Sequence, residues 1–335
     1  MSASEPKFSA AKSVSVILCT FNRSDMLGAT LEDLAAQRMP GDIEWEVMVV
    51  DNNSSDRTRD IAQDFCRRFP ERFRYFFEGT QGKSYALNTG IRHARGKVLA
   101  FIDDDVKVDP AWISEITGAL HDGKWAGAGG RTCAAEKFSA PDWFSDEKSG
   151  GILYGRFDFG DEPRELDWAP YGANMAYRAD MFAKYGGFRL DLGPGPDPTI
   201  PRPNEDTEIG RRLMAAGEHI RYEPKAVLYH PVALDRLHKP FFLKFWYDYG
   251  RASARELKKP PVAGIDRDYL SLLKLSLVSR PAEWILSVFA SNAAEKFWHQ
   301  CRMRYFSGRF SETRRRLRGG NAEVGVTETK LQRSV

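Results

Sequence analysis

Between residues 14 and 102, short β-branched apolar runs alternate with segments of helical period, and this alternation restricts the possible folds more than any other feature of the chain. Val14-Ser-Val-Ile-Leu-Cys19 predicts a strand and is followed by Leu27, Leu31 and Leu34 at helical spacing. Glu46–Val50 predicts a second strand, Ile61, Phe65 and Phe69 a helix face, and Arg74–Phe77 a third strand. Ala86, Leu87, Ile91 and Ala94 then mark a helix before Lys97–Ile102, a further buried strand. Strands separated by helices imply right-handed βαβ units and a mostly parallel sheet, so the expected class is α/β. Ligands bind such sheets at the carboxyl ends of the strands.

The polar clusters of this half lie at those ends. Thr20-Phe-Asn-Arg23 follows the first strand, Asp51–Asp56 the second and Asp103-Asp-Asp105 the fourth. Three adjacent carboxylates repel one another unless solvent or a cation relieves them. Magnesium or manganese is held by one or two carboxylates while substrate phosphates supply other ligands, and a solvated acidic turn is the alternative. Asp51 suits contact with a ribose or base, or else an Asx-turn. Gly82-Lys-Ser84 lacks the first glycine of a phosphate loop, since position 77 is Phe, which argues against an NTPase; Lys83 remains free to meet diphosphate or solvent. No Gly-x-Gly-x-x-Gly follows the first strand, which argues against a dinucleotide-binding oxidoreductase.

Residues 127–203 are rich in Gly, Pro and aromatics and are expected to be dominated by loops that wall or cover a substrate. Asn204 then suits an N-cap, with Glu205 and Asp206 in the first turn, Ile209 and Leu213 on one face and Gly217 as the stop. Asp206 is favoured as an anion by the macrodipole and fits either a general base or an ordinary charged helix start. A last strand, Ala226–Tyr229, ends at His230, a metal ligand or a structural histidine.

The 335 residues suffice for a large core, and the scattered Cys19, Cys66, Cys133 and Cys301 suggest neither a disulfide framework nor a zinc knuckle. Met1–Ser13 carries no apolar signal region, so a cytoplasmic location is expected. Tyr269–Ala290 is interrupted by Lys274, Arg280, Pro281 and Glu283 and is a poor membrane span. The net charge of +3 is uninformative, but Arg302–Arg318 holds seven arginines against one acid, Glu312. Helical patterns run around Phe241–Leu257 and over Pro281–Trp298, where Trp284, Ile285, Val288 and Phe289 share a stripe.

Taken together, Val16–Arg23, Val49–Asp56, Gly82–Gly90, Phe101–Val106, Gly172–Arg178 and Asn204–Glu208 resemble, in the same order, the motifs of family 2 glycosyltransferases of the GT-A fold, particularly bacterial cytosolic enzymes of polysaccharide or glycoconjugate assembly. The resemblance covers about Val14 to Gly250. It implies a nucleotide-diphosphate sugar as donor, with a UDP-sugar expected, Mn2+ or Mg2+ as cofactor, and a glycan or lipid-linked acceptor. Thr20, Asn22 and Arg23 would line the nucleotide site with Lys83, Asp51 would contact the base, and Asp103 and Asp104 would lie against ribose and diphosphate. Asp105 would be the principal metal ligand with His230, Asp206 the catalytic base, and Glu205 and Asn174 acceptor contacts. The chain lacks the Gln-x-x-Arg-Trp segment and transmembrane helices of processive synthases, which favours transfer of single sugars.

The expected organisation is a flexible N-terminus over 1–13, a nucleotide-sugar-binding half over 14–126, an acceptor-binding half over 127–233, a helical basic and aromatic region over 234–318, and a disordered tail over 319–335. Residues 281–318 suit peripheral contact with the cytoplasmic face of the inner membrane, or else a packing appendage or oligomer contact. No nucleic-acid partner is expected. The rival functions are a nucleotidylyltransferase, for which Thr20-Phe-Asn-Arg23 is a weak phosphate-activating loop, and a non-catalytic sugar-nucleotide or membrane-binding protein.

Overall fold

A computed structural model describes residues 8, 12–195, 204–255 and 267–317, with backbone alone for 267–270 and 272. It divides into two compact units, 1–239 and 240–335. The first opens with β1 (Lys12–Thr20), α1 (Leu27–Ala35), β2 (Ile43–Asp51), α2 (Thr58–Arg68), β3 (Phe73–Phe77), α3 (Lys83–His93) and β4 (Val98–Ile102). There follow β5 (Lys107–Val108), α4 (Trp112–Gly118), β6 (Gly127–Ala134), α5 (Asp146–Tyr154), β7 (Arg164–Glu165), β8 (Asn174–Arg178), α6 (Ala179–Tyr185), α7 (Glu205–Ala215) and β9 (Ile220–His230).

These strands form one sheet in the order β3-β2-β1-β4-β8-β6-β9-β5, with β7 paired to β9. The first four are parallel; β8 runs antiparallel to both β4 and β6, while β6 and β9 are parallel. Alternation along the strands builds two cores. Val14, Val16, Leu18, Val47 and Val49 meet α1, α2 and α4 through Leu31, Phe65 and Trp112. Ile17, Met48, Leu99 and Phe101 meet α3, α6 and α7 through Leu87, Phe182, Ile209 and Leu213. Each large side chain buried in this way contributes roughly 1.5–3 kcal/mol.

β1 begins two residues before the expected boundary, because Ser13 is buried and its hydroxyl accepts the Lys97 N–H at 3.1 Å. The rest of the expected flexible N-terminus, apart from Phe8, and the tail over 319–335 lie outside the described residues. The expected loop region also differs. Its described part supplies β6 and β8, and β8 pairs directly onto β4, so the stretches 14–126 and 127–233 share one sheet. β6 was hidden by its glycines: Gly127 lies against the Tyr177 ring and Gly130 against the Ala226 carbonyl, where a Cβ would collide. Between Gly130 and Arg131 the β6–β9 register shifts, and the Asn174 amide closes the gap, donating to the Arg131 and Ala226 carbonyls at 2.9 and 3.0 Å.

Asn204 precedes α7 with φ 83°, and its side chain makes no capping bond; instead its carbonyl accepts the Glu208 N–H at 2.9 Å. Gly217, at φ 85°, ends the helix as expected: its N–H reaches the Met214 carbonyl and that of Glu218 reaches Leu213, a Schellman closure.

The second unit is helical. It contains α8, which starts at the unit boundary (Lys239–Arg255), α9 (Arg267–Val288) and α10 (Ala293–Leu317). The pattern expected over 281–298 is broken in two. α9 runs through Pro281 to Val288, and α10 restarts from a reciprocal cap in which Asn292 Oδ1 accepts the Glu295 N–H and Glu295 Oε2 accepts the Ser291 N–H. α8 and α10 cross closely, with Gly250 against the Tyr305 carbonyl and Gly308 against the Tyr247 carbonyl. Among the described residues no helix is long and apolar enough to cross a membrane.

Candidate active site

Because β1, β2 and β4 are parallel and adjacent, their carboxyl ends bring three polar loops together. Asn22 (φ 51°) and Asn53 (φ 66°) hold the first two loops in the left-handed conformation that Asn tolerates. Asn22 Oδ1 accepts the Ser55 N–H at 2.8 Å, and its own N–H donates to Ser54 Oγ at 2.9 Å, tying the loop after β1 to the loop after β2. Asp51 is buried at the base of this crossing. Its Oδ1 accepts the N–H of Ser54, three residues on, at 2.9 Å, and its Oδ2 accepts the Tyr75 hydroxyl at 2.8 Å. Thr20 is buried at the end of β1 beside Asp104.

The carboxylates after β4 have three different environments. Asp103 Oδ1 pairs with Lys83 Nζ at 2.8 Å; despite burial, Lys83 and then His230 and Arg23 hold its carboxyl below the usual range. Asp104 turns inward, and burial reinforced by Asp103 and Asp105 pushes it up to about 6. Asp105 faces His230, with Oδ1 3.6 Å from Nε2, and Arg23, with Oδ2 3.7 Å from Nη2. His230 Nδ1 lies 3.0 Å from the Pro231 carbonyl. A carbonyl only accepts, so Nδ1 is the donor in this contact, which orients the ring with Nε2 towards Asp105.

Asp103, Asp105 and His230 each offer a ligand atom within 4.8 Å of the others. Two carboxylate oxygens and an imidazole nitrogen suit a divalent cation such as manganese, and the remaining positions suit phosphate oxygens. The donor set therefore fits the metal expected from the sequence.

Across the site, α7 presents Glu205 and Asp206. Asp206 Oδ2 accepts the Gly172 N–H and Oδ1 the Thr207 N–H, each at 2.7 Å, so two backbone donors orient the carboxylate. Glu205 is buried; burial, with Asp206 beside it, raises its carboxyl while Lys83 opposes the shift. Lys83 Nζ is also 3.7 Å from Glu205 Oε1. Burial works against the ammonium charge, but Asp103 and Glu205 outweigh it and hold Lys83 well above its ordinary value. Lys83 thus connects the carboxylates after β4 with those of α7.

Asn174 stands apart from this group. It is buried, its Oδ1 accepts Trp112 Nε1–H at 2.8 Å, and both amide hydrogens serve the β6–β9 irregularity, so the side chain expected at the acceptor is a cross-link within the sheet. Two contributors escaped sequence reasoning: Gly172, which opens the Gly-Ala-Asn motif, and Tyr75, whose hydroxyl is the only polar atom of the third strand's Tyr-Phe-Phe side chains.

A glucosyl-dolichyl phosphate glucuronosyltransferase of Haloferax volcanii is 26% identical over 302 residues, covering 85% of this chain and 94% of the relative. The succinoglycan biosynthesis protein ExoM of Rhizobium meliloti is 25% identical over 252 residues, covering 73% and 75%. In fold, the chain is similar to the mannosyltransferase PcManGT from Pyrobaculum calidifontis, solved in complex with GDP-Man and Mn2+, with a TM-score of 0.58 at 17% identity over 92% of this chain and 90% of that one. The pattern of the family described as Glycosyl transferase family 2 matches residues 15–186, from within β1 through α6, and with just over half of the 335 residues matched the chain belongs to that family of sugar-transferring enzymes.

Proposed function

We propose that the chain is a metal-dependent, inverting glycosyltransferase that moves one sugar from a nucleoside-diphosphate sugar, in the first instance a UDP-sugar, to a hydroxyl of a glycan or lipid-linked acceptor. The observation that carries this reading is the meeting of Asp103, Asp105 and His230 on one side with Asp206 on the other, linked through Lys83 and Glu205. Asp105 and His230 would hold Mn2+ or Mg2+, which when bound supplies positive charge to the oxygens of the departing diphosphate.

The protein's own groups divide the remaining work. Thr20, Asn22 and Arg23 line the nucleotide, Asp51 meets the base through the lone pairs left after its two hydrogen bonds, and Asp103 and Asp104 lie against ribose and diphosphate. Lys83 adds a fixed positive charge beside them. Asp206 takes the proton of the acceptor hydroxyl as that oxygen bonds to the anomeric carbon. The bond from that carbon to the diphosphate oxygen breaks on the opposite face with its electron pair, which inverts the centre without a covalent sugar–enzyme intermediate. Glu205 borders the acceptor. Asn174 acts on this site indirectly, by setting β8.

A lipid-linked acceptor is supported by the Haloferax volcanii relative, whose name describes transfer onto a glucosyl-dolichyl phosphate. With it goes a peripheral place for the enzyme on the cytoplasmic face of a membrane. The deciding experiment is a panel of nucleotide sugars with Mn2+, with Mg2+ or with chelator, read by thermal stabilisation and by release of nucleoside diphosphate. One donor class should stabilise the protein only when metal is present; no donor distinguished from the rest with metal, or a preferred donor bound equally well in chelator, would refute the reading.

A further inference from the structure

α9 has its polarity reversed. Among its described side chains, those it buries are polar: Ser276, Glu283 and Ser287 are at most 6% exposed, at positions one above another on a single face. Glu283 is bound there by α10, with its Oε2 2.7 Å from His299 Nδ1 and its Oε1 2.5 Å from Arg302 Nε. Its large exposed side chains are mostly apolar, among them Leu275 49%, Val278 69%, Trp284 60%, Ile285 49% and Val288 58% exposed, continued by Phe289 at 82% just past the helix end. At 3.6 residues per turn these positions sweep an arc of about 180°. A helix packed on one neighbour buries a stripe of roughly 100°.

We propose that this arc of α9 is seated in the interface of a lipid bilayer, with the helix lying along the membrane rather than through it. A fluid solvent wraps half a cylinder, whereas a folded partner or a second copy of the chain covers a narrower stripe. The charges agree. The exposed charges of α9 among residues 271–288 are Lys274 and Arg280, and the one acid of that stretch, Glu283, is buried. Arg280 and Trp284 border the arc at headgroup depth, and Lys274 within it reaches the surface along its flexible stem. α9 cannot span, since no described helix is long and apolar enough. The close Gly250–Gly308 crossing of α8 and α10 also follows the small-residue packing that helices use in lipid.

This inference deepens the peripheral-membrane reading and rests on it, so the test separates the two. The full-length protein is sedimented with vesicles of phosphatidylcholine alone and of phosphatidylcholine with phosphatidylglycerol, and its fluorescence is read against vesicles with brominated acyl chains. The wild type should bind both vesicles and be quenched, and Trp284→Phe should remove most of the quenching. Val278→Ser/Ile285→Ser/Phe289→Ser, at exposed positions and with unchanged circular dichroism, should weaken binding about tenfold or more. Arg304→Gln/Arg314→Gln should weaken binding to the anionic vesicles alone. Loss of binding in the arginine variant with none in the serine variant overturns the α9 assignment and leaves the peripheral reading standing. A wild type that binds neither vesicle overturns both. A wild-type dimer that the serine variant turns into monomer, without vesicle binding, gives the face to a second copy and overturns the proposal.

Discussion

In the sheet unit, Val16, Phe101 and Leu213 are fully buried and the charged groups gather at strand ends, whereas in α9 of the helical unit Ser276 and Glu283 are buried and Val278 and Val288 are exposed. Residue type alone therefore does not say which side of an element meets solvent; the solvent does. The sheet unit is arranged for water, with carboxylates where a cation and a phosphate can reach them. The helical unit spends its ionic contacts internally, around Glu312 and Glu283, and leaves apolar area outside.

The sharpest test of this contrast is a change confined to the chemistry. Asp206→Asn keeps the shape of a side chain held by the Gly172 and Thr207 N–H groups but removes its capacity to accept a proton. Turnover should fall by about 10²–10⁴-fold while donor binding and vesicle binding persist. Steady-state rates beside calorimetric donor affinity check this; near-normal turnover would show that another group takes the proton.

The mirror experiment removes the ionic centre of the helical unit. Glu312 is buried between Arg255 at 3.0 Å, Arg315 at 2.6 Å and Arg251 at 3.5 Å. Burial alone would raise its carboxyl, but the Arg315 and Arg255 hydrogen bonds outweigh it and hold the group near 2, below the ordinary 4.5. Glu312→Gln should cost about 3–5 kcal/mol, because three guanidinium groups lose their counter-charge. A folded-state value below the unfolded one contributes stability that is complete above 4.5 and is lost as pH falls through about 2. Denaturant melts of wild type and variant should therefore differ at neutral pH and converge in acid, with donor binding unchanged. A constant gap across that window would mean that the interaction is not ionic.

A smaller effect separates metal from acceptor chemistry within the sheet unit. Asp105→Ala removes one of three convergent ligand groups and should weaken Mn2+-dependent donor affinity about 10–100-fold, by analogy with losses at outer-shell groups. Calorimetry with and without Mn2+ reads it. Unchanged affinity with metal present would move the cation, or the need for one, away from this cluster.

Much of the first unit was legible because water imposes period. Val14–Cys19, Glu46–Val50 and Lys97–Ile102 announce buried strands, and the polar clusters at their ends announce the site. Asp105, His230, Lys83 and Asp206 needed the fold to bring them together, since contacts such as Lys83–Glu205 cross more than a hundred residues. β6 was illegible because Gly127-Ala-Gly-Gly130 carries almost no side chain to show a period. The polarity of α9 was hidden for the opposite reason: its apolar stripe of Trp284, Ile285 and Val288 was visible, but a stripe does not say whether protein or another solvent covers it.

The glycines of β6 provide the last and smallest test, because they ask whether the sheet unit obeys close packing at its least legible strand. At Gly130 a Cβ would meet the Ala226 carbonyl and both polar atoms of the Asn174 amide, the groups that close the β6–β9 irregularity. Gly130→Ala should therefore destabilise the sheet unit by about 1–3 kcal/mol through overpacking, although alanine is otherwise the milder choice in a strand. Gly118→Ala is the matched control, since a Cβ there meets nothing within 4 Å in the last turn of α4. If the two variants melt together, the Asn174 bridge yields without cost, and β8 is held by its pairing to β4 and β6 without it. If Gly130→Ala melts early and also loses turnover, the bridge that sets β8 reaches the Gly172 N–H two residues before it, and through that donor the carboxylate of Asp206.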